Sequence, residues 1–153
     1  MKTIKQHESF MLLALKQAVI AGQENEVPIG AVITRDDEVI AIGHNKREAS
    51  QNALMHAEID AINEACKKLK SWRLSGCTIY VTLEPCPMCA GAIINSRIDT
   101  VVFGAADLKA GACGSVIDLF ACPFNHRPTV VKNILNTQCI NILKEFFSKL
   151  RIK

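Results

Sequence analysis

His56-Ala57-Glu58 and Pro85-Cys86-Pro87-Met88-Cys89 carry, as H-x-E and P-C-x-x-C, one imidazole, one carboxylate and two thiols. Imidazole and thiolate are preferred Zn²⁺ ligands, and three protein ligands leave the fourth tetrahedral position for water, as in catalytic zinc sites. Positions i and i+2 lie about 200° apart around a helix, so Glu58 is not expected to bind the same ion as His56. The two stretches therefore predict a catalytic zinc site with ligands His56, Cys86 and Cys89, and with Glu58 as a proton carrier.

Two other interpretations of these residues stay open. A C-x-x-C pair alone is also typical of thioredoxin-like redox sites. A structural zinc site is the second alternative, and its fourth ligand could be Cys113, Cys122, His44 or His126. The H-x-E motif favours a catalytic zinc, because a closed structural site has no use for Glu58.

The composition is that of an ordinary globular protein. The chain has 153 residues, 49% hydrophobic and 22% charged, so a single domain spanning 1–153 is expected. No apolar stretch approaches the length of a membrane span and the first residues lack a signal-peptide pattern, so a cytoplasmic location is expected. The number of cysteines, seven, is odd, and those outside the C-x-x-C pair are interpreted as small buried hydrophobic residues. The net charge of +3 permits nucleic-acid binding without predicting it.

The order of the apolar patterns predicts an α/β fold. Apolar residues at helical spacing predict helices at about 8–22 and 56–69, after Pro87, and at 137–151. Strands are predicted at 29–34 and 39–42, joined as an antiparallel hairpin, and at 78–83, 100–103 and 129–131. The β-α-β-α middle section predicts parallel neighbours with helices across both faces of one sheet. The expected architecture is a three-layer α/β/α sandwich around a mixed sheet of about five strands.

Both parts of the metal motif fall where a helix is predicted to begin. The N-terminus of a helix carries positive potential, which favours thiolates over thiols at Cys86 and Cys89. At such a first turn Glu58 can reach the water on the metal. The combination of H-x-E with P-C-x-x-C resembles the signature of zinc-dependent nucleobase and nucleoside deaminases, which implies a hydrolytic deamination. In that reaction zinc-activated water attacks the amino-bearing ring carbon, while Glu58 moves one proton to a ring nitrogen and one to the amino group that leaves as ammonia.

The sequence around the motif resembles the cytidine-deaminase-like superfamily. This resemblance is carried by Ala57-Glu58-Ile59, Thr82-Leu83-Glu84-Pro85-Cys86 and Met88-Cys89-Ala90-Gly91-Ala92. Further blocks spread over nearly the whole chain are similar to the bacterial tRNA-specific adenosine deaminases, the TadA branch of that superfamily. These blocks are Glu26-Val27-Pro28-Ile29-Gly30-Ala31-Val32, His44-Asn45, Ser71-Trp72-Arg73-Leu74, Ser96-Arg97-Ile98, Val102-Phe103-Gly104-Ala105, Asn125-His126-Arg127 and Phe146-Phe147.

The resemblance implies a zinc enzyme that converts adenosine to inosine at the wobble position (34) of a tRNA anticodon, with an arginine tRNA as the expected substrate. It implies one Zn²⁺ per subunit on His56, Cys86 and Cys89, with Glu58 as the proton shuttle and no nucleotide cofactor. The expected partners are the anticodon stem-loop and a second copy of the chain. Members of the family are homodimers in which both subunits line the RNA groove.

The resemblance also assigns contacts to the substrate. Asn45 matches the position that hydrogen-bonds the flipped base, and the wall on which that base rests is assigned to Val27, Pro28 and Ile29, with Ala57 also placed among the substrate-binding residues. Asp107 matches a position that contacts the backbone sugar next to the target. The residues alone leave simpler roles open, because asparagine and aspartate are common in turns and the segment 27–29 could be plain core.

The predicted C-terminal helix, at about 137–151, is basic and is expected to form part of the RNA-binding surface. Its apolar face consists of Ile140, Leu143, Phe147 and Leu150, and Phe146 lies off that face beside Lys149 and Arg151. An exposed aromatic ring next to basic side chains suits stacking on an unpaired base together with phosphate contacts. A dimer contact is the alternative role for Phe146.

Two departures from the family pattern bear on the substrate. Asn52-Ala53-Leu54-Met55 replaces the usual Asp-Pro-Thr-Ala before His56, and Pro87 stands where this branch often has valine. The resulting Pro-Cys-Pro-Met-Cys form is also common in guanine and cytosine deaminases, so a free-base deaminase is the second enzyme hypothesis. A third hypothesis is an RNA-binding module with a purely structural zinc, and the intact H-x-E motif argues against it.

Overall fold

The computed structural model describes residues 1–152, which form five helices and five strands. A single 3₁₀ turn, Leu119–Ala121, interrupts the long segment before the last strand. In chain order the elements are α1 (Ile4–Gln23), β1 (Gly30–Arg35), β2 (Glu38–His44), α2 (Arg47–Ser50), α3 (Ala57–Leu69), β3 (Cys77–Leu83), α4 (Pro87–Asn95), β4 (Thr100–Ala105), β5 (Thr129–Val131) and α5 (Asn136–Ile152).

The strands form one mixed sheet in the order β2-β1-β3-β4-β5. β1 pairs antiparallel with both β2 and β3, whereas β3 with β4 and β4 with β5 are parallel. The β1–β2 hairpin turns at Asp36 and Asp37, whose φ values of 51° and 61° are the left-handed pair that a tight two-residue hairpin requires. The parallel strands β3 and β4 need a crossover, and α4 provides it.

Each face of the sheet carries its own apolar core, because successive residues of a strand point to opposite sides. On one face Ile33 and Val81 pack with the apolar sides of α3 and α4. On the other face Val32, Tyr80 and Val102 pack with those of α1 and α5. This arrangement confirms the predicted three-layer sandwich with a mixed five-stranded sheet.

Two local features differ from the sequence-based prediction. α1 begins at Ile4 rather than near residue 8, because Thr3 and Gln6 form a capping box in which each side chain accepts a hydrogen bond from the other residue's backbone N–H. The short helix α2 was not predicted, and its four residues lie directly after the strand that leads to Asn45. Within the described part of the chain, no helix combines the length and apolarity needed to cross a membrane.

Candidate active site

The metal motif is brought together by the starts of two helices. His56 is the N-cap of α3 and Cys86 is the N-cap of α4, so both lie at the positive end of a helix, as predicted. Neither side chain bonds to the backbone of its own helix, which leaves both available to a ligand. Pro87 occupies the first helical position, and Cys89 lies buried within the first turn of α4. The local chain geometry therefore directs all three ligand side chains to one point.

The distances among the three ligand atoms fit a zinc ion. A tetrahedral site with Zn–S of about 2.3 Å and Zn–N of about 2.0–2.1 Å places the nitrogen about 3.5–3.6 Å from each sulfur. His56 Nδ1 lies 3.6 Å from Cys86 Sγ and 3.6 Å from Cys89 Sγ. Among the described residues, the potential metal-binding group consists of these three side chains, with all ligand atoms within 4.8 Å of one another. None of the four candidates for a fourth structural ligand joins this group, so the geometry is that of a three-ligand site.

The two thiols are electronically unequal. The hydrogen bond from the Cys89 thiol and the interaction with His56 together lower the pKa of Cys86 to about 4. The same bond raises the pKa of Cys89, which holds the shared proton. The bond to Cys86 also raises the pKa of the His56 imidazole. Cys86 is thus already a thiolate. A divalent cation that replaced the proton shared by the two sulfur atoms would bind two thiolates.

Glu58 lies next to the ligands in a desolvated position. It belongs to the first turn of α3 and is 4% exposed. Burial raises the pKa of its carboxyl to about 7, although a hydrogen bond from its own backbone N–H opposes the rise. A carboxyl with a pKa near neutrality can both accept and release a proton at physiological pH, which is the requirement for a general acid and base.

His56, Cys86 and Glu58 open onto a cleft of about 180 Å³. This volume lies below the roughly 300 Å³ at which sites for drug-sized ligands begin, so the cleft suits one small group inserted from outside. Its lining consists of Val27, Ile29, Asn45, Arg47, His56, Glu58, Leu83, Glu84, Cys86, Asp107 and Ala110. The structure therefore brings Val27, Ile29, Asn45 and Asp107 together with the metal motif, as the substrate predictions require.

Nearly the whole chain is similar to known deaminases. A family model described as MafB19-like deaminase matches residues 5–151. A tRNA-specific adenosine deaminase of Bacillus subtilis is 50% identical over 149 residues, which cover 97% of this chain and 92% of that protein. The chain belongs to the tRNA-specific adenosine deaminase family.

More distant relatives and solved structures agree with this placement. A chloroplastic tRNA(adenine(34)) deaminase of Arabidopsis thaliana is 41% identical over 157 residues, which cover 92% of this chain and 12% of that longer protein. A structure from a study of A-to-I editing by tRNA:A34 deaminases superimposes with a TM-score of 0.86 at 43% identity, covering 88% of this chain and 99% of the other. A guanine deaminase from Bacillus subtilis has a TM-score of 0.64 at 32% identity, covering 93% and 94%. The fold is shared with free-base deaminases, whereas the higher identities are to tRNA deaminases.

Asn45 is held rigidly at the rim of the cleft. Its amide donates a hydrogen bond to the Val27 carbonyl at 3.3 Å, and its carbonyl oxygen accepts one from the Arg47 backbone N–H at 3.1 Å. Each bond uses half of the capacity of its group, so one donor and one acceptor site of the amide remain for a ligand. The side chain is 6% exposed. Its orientation is therefore fixed before any substrate arrives.

Two buried carboxylates fix the backbone on either side of Asn45. Asp60 accepts a hydrogen bond from the His44 backbone N–H at 3.2 Å and pairs with Lys46 Nζ at 2.9 Å. Glu26, 1% exposed, accepts the backbone N–H groups of the α2 residues Glu48 and Ala49 at 2.9 and 2.7 Å. Asp60 lies on α3, the helix that also carries Glu58, so Asn45 and Glu58 share one rigid support.

The remaining predicted contacts are spread more widely. Asp107 lines the cleft, and one of its carboxylate oxygens accepts the backbone N–H groups of Lys109 and Ala110, which stabilises its own turn. Ala57 is fully buried in the core below α3. Pro28 is buried away from the cleft, in a groove between α1 and α5 that Phe146 and Lys149 also line. The substrate contacts predicted for Asp107, Ala57 and Pro28 therefore remain predictions.

The two phenylalanines of α5 have exposures opposite to the prediction. Phe147, expected on the apolar face, is 41% exposed, whereas Phe146, expected to lie off it, is half-buried. The two rings contact each other edge-to-face with centroids 5.4 Å apart. Both line a shallow groove that also includes Asn45 and Arg47 and so adjoins the cleft. Arg151 lies in a separate groove, between α5 and the end of β4.

Several residues of the site were missed at the level of the sequence. Arg47 lines both the cleft and the adjoining groove, and Glu84 lines the cleft beside the ligand segment. Glu26 and Asp60 act from behind Asn45. Of these residues, Glu84 has the clearest indication in the sequence of a place in the site, because it directly precedes the Pro-Cys motif. The others depend on contacts between distant parts of the chain, which no local pattern reveals.

Proposed function

We propose that this chain deaminates adenosine to inosine at the wobble position (34) of a tRNA anticodon, with an arginine tRNA as the first substrate to test. The observation that carries the proposal is a zinc-compatible triad beside a buried Glu58, in a chain that is 50% identical to a tRNA-specific adenosine deaminase. The narrow cleft supports it, because a base must be extruded from its RNA to reach such a site. The domain spanning 1–153 would hold the whole catalytic unit.

The resident cofactor is proposed to be one Zn²⁺ per subunit, held by His56, Cys86 and Cys89. When bound, zinc supplies the Lewis acidity that makes water nucleophilic at neutral pH. The donor set of one imidazole and two thiolates, at tetrahedral spacing, supports zinc over hard cations, which prefer oxygen ligands.

Glu58 is proposed to carry the protons of the reaction. Its buried carboxyl, with a pKa raised to about 7, can accept a proton from the attacking water and deliver it to a ring nitrogen of the base. The same carboxylate would then take the proton of the hydroxyl group added to the ring carbon and pass it to the amino group, which leaves as neutral ammonia. Asn45 would meanwhile hydrogen-bond the base through its remaining donor and acceptor, with Val27 and Ile29 as the apolar wall.

The RNA surface is proposed to extend from the cleft along α5. The groove lined by Phe146 and Phe147 adjoins Asn45 and Arg47, and Lys149 and Arg151 add positive charge to α5. A homodimer is also proposed, supported by exposed apolar side chains in segments next to the cleft. These are Leu54, Leu108, Val116 and Ile117. Action on tRNA would place the enzyme in the cytoplasm, which stays a prediction.

The test is inosine formation by zinc-loaded protein on an arginine-tRNA anticodon stem-loop with adenosine at the wobble position. Free guanine and free cytosine are assayed in parallel for ammonia release. Inosine in the stem-loop alone is the expected result. Ammonia from a free base together with an unmodified stem-loop would contradict the proposal and favour the free-base alternative.

The Glu58→Gln variant tests the proton carrier within the same assay. The amide keeps the shape of the side chain but cannot exchange protons, so kcat is expected to fall by about 10²–10⁴-fold with zinc content unchanged. Glu64→Gln, on the exposed side of α3, is the matched control and should retain full activity. Activity of the Glu58→Gln variant near that of the unsubstituted protein would exclude the assigned role. Bound stem-loop with zinc but without any turnover in the unsubstituted protein would instead indicate an RNA-binding module.

A further inference from the structure

Glu84 is a buried carboxylate whose hydrogen-bond partners all come from one loop. Its side chain is 2% exposed, and it lies between β3 and the Pro85-Cys86 segment. One carboxylate oxygen accepts the Asp107 backbone N–H at 3.1 Å and the Ser115 hydroxyl. The other accepts the backbone N–H groups of Cys113 and Ser115, at 3.0 and 3.2 Å. Four donors therefore converge on a single buried acid.

All four partners of the Glu84 side chain are donors, so both of its oxygens act only as acceptors. A neutral amide at this position could not accept all four donors, and its own N–H₂ group would face backbone N–H groups. The network thus depends on a carboxylate at this position.

The loop that Glu84 binds is irregular, and the residues that anchor its middle in the core are Ala112 and Cys113. Residues 106–118 contain neither a helix nor a strand of the sheet. Gly111 approaches the Glu84 carboxylate so closely that a Cβ at this position would collide with it. A backbone hydrogen bond from Ala112 N–H to the Pro85 carbonyl, at 2.8 Å, also ties the loop to the segment that carries Cys86.

The loop supplies one side of the catalytic cleft. Asp107 and Ala110 line the cleft together with Glu84 itself, and Asn45 and Val27 belong to the same lining. The Asp107 backbone is tied to Glu84, and the Asp107 side chain organises the turn that follows. A change at Glu84 would therefore be transmitted to the cleft wall.

We propose that Glu84 is a positioning residue that holds the 107–115 loop as a wall of the substrate cleft and thereby sets the affinity for the RNA substrate. It acts through the backbone N–H groups of Asp107, Cys113 and Ser115, without contact to the reacting atoms. The part that concerns substrate affinity rests on the proposed function. The part that concerns the loop does not depend on it.

The test compares Glu84→Gln with Glu38→Gln, an exposed control at the start of β2. Three quantities are measured on the zinc-loaded proteins: zinc content, kcat and KM on the stem-loop, and backbone hydrogen exchange. Glu84→Gln is expected to raise KM about tenfold, with kcat changed less than about twofold and zinc content intact. Exchange of the Asp107, Cys113 and Ser115 amides should accelerate while that of the α4 amides stays unchanged.

Ser115→Ala provides a graded second variant, because it removes one of the four donors and leaves the carboxylate in place. It should raise KM by a smaller factor and accelerate hydrogen exchange mainly at the amides around residue 115. It also serves as the test if Glu84→Gln does not fold. Unchanged loop exchange in both variants would overturn the proposal, as would loss of zinc or a fall in kcat at constant KM. If the unsubstituted protein formed no inosine, the proposed function would fail, while the exchange measurement would still decide the role of Glu84 in the loop.

Discussion

The metal pocket and the surface of α5 serve one proposed reaction, yet the chain builds them differently. In the pocket Cys89 is fully buried and Glu58 is 4% exposed, and both are fixed by the starts of two helices. On α5 Phe147 and Leu150 are 41% and 51% exposed. Residues 1–152 contain no ion pair that involves the basic side chains of α5. The pocket residues thus have fixed positions, whereas the basic side chains of α5 have no ion-pair partner within residues 1–152.

This difference predicts two kinds of response to substitution. A buried group with fixed partners acts as part of a unit, so its removal abolishes the arrangement. An exposed side chain on a helix contributes separately, so its removal changes affinity by a limited factor. From the pocket outward, substitutions should therefore have progressively smaller effects. They should range from complete loss of inosine formation to a small change in the salt dependence of RNA binding.

The largest effect is expected from Cys89→Ala. Two remaining ligands cannot hold zinc as three can, so zinc content should fall close to zero and inosine formation to the background of the assay. Cys66→Ala, a half-buried cysteine of α3 outside the triad, is the control and should keep both zinc and activity. Metal analysis and the stem-loop assay measure the two quantities. Full zinc occupancy in the Cys89→Ala variant would remove Cys89 from the ligand set.

A smaller loss is expected from Asp60→Asn, which weakens the support of Asn45 without touching the cleft. The amide loses the ionic contact with Lys46 at 2.9 Å and leaves the His44–Lys46 segment less fixed. We expect kcat/KM on the stem-loop to fall about tenfold, because a small displacement of Asn45 would weaken its proposed contact with the base and orient the base poorly.

The control for Asp60→Asn is Glu64→Gln, which alters an exposed acid one turn further along α3. Zinc content should be the same in both variants and in the unsubstituted protein. An Asp60→Asn variant with unchanged kcat/KM would mean that Val27 and Arg47 alone orient Asn45.

The parts of this molecule that sequence predicts well are those encoded by neighbouring residues. The motif His56-Ala57-Glu58 and the Pro-Cys pair define helix starts and ligand types within a few positions, and the structure confirms both helix starts. The α/β/α layers follow from strand and helix periodicity. The Thr3–Gln6 capping box has a readable local spacing as well, although the prediction placed that helix start later.

The parts that sequence does not predict depend on distant contacts. α2 has no apolar periodicity, and its N–H groups are satisfied by Glu26, more than twenty residues earlier in the chain. Glu84 binds donors from 107 to 115, which no local pattern connects to it. On α5 the adjacent Phe146 and Phe147 lie about 100° apart, and which ring is covered depends on how the helix is rotated against β4 and α1. Helical spacing alone therefore assigned the wrong ring to the exposed side.

The two rings of α5 are expected to contribute unequally to RNA binding. Stacking on an unpaired base contributes about 1–3 kcal/mol, so a ring that stacks should raise KM for the stem-loop about fivefold or more when replaced by alanine. Phe146→Ala is expected to show this increase, because Phe146 also lines the groove with Pro28 and Lys149.

Phe147→Ala is the matched variant, since its ring contacts Phe146 edge-to-face and is the more exposed of the two. We expect a smaller rise in KM, with kcat unchanged in both variants. A larger effect of Phe147→Ala would transfer the stacking role to the exposed ring, and equal kcat losses in both would place α5 within the rigid unit of the pocket.

The smallest effect is expected from Lys149→Ala and Arg151→Ala, and it appears most clearly as a change in salt dependence. Each phosphate contact contributes about 0.7–0.9 to the slope of log affinity against log salt concentration, because binding releases a counterion. Removal of either cation should therefore flatten that slope by about this amount, with only about a twofold loss of affinity at one moderate salt concentration. The slope is obtained from stem-loop binding over a range of salt concentrations, measured in the slowly reacting Glu58→Gln background. Lys68→Ala, on the exposed side of α3, should leave the slope unchanged.

If neither α5 variant changed the slope, the RNA would not cross this surface. The exposed basic side chains of α5 would then have no part in RNA recognition, in contrast to the residues of the rigid pocket.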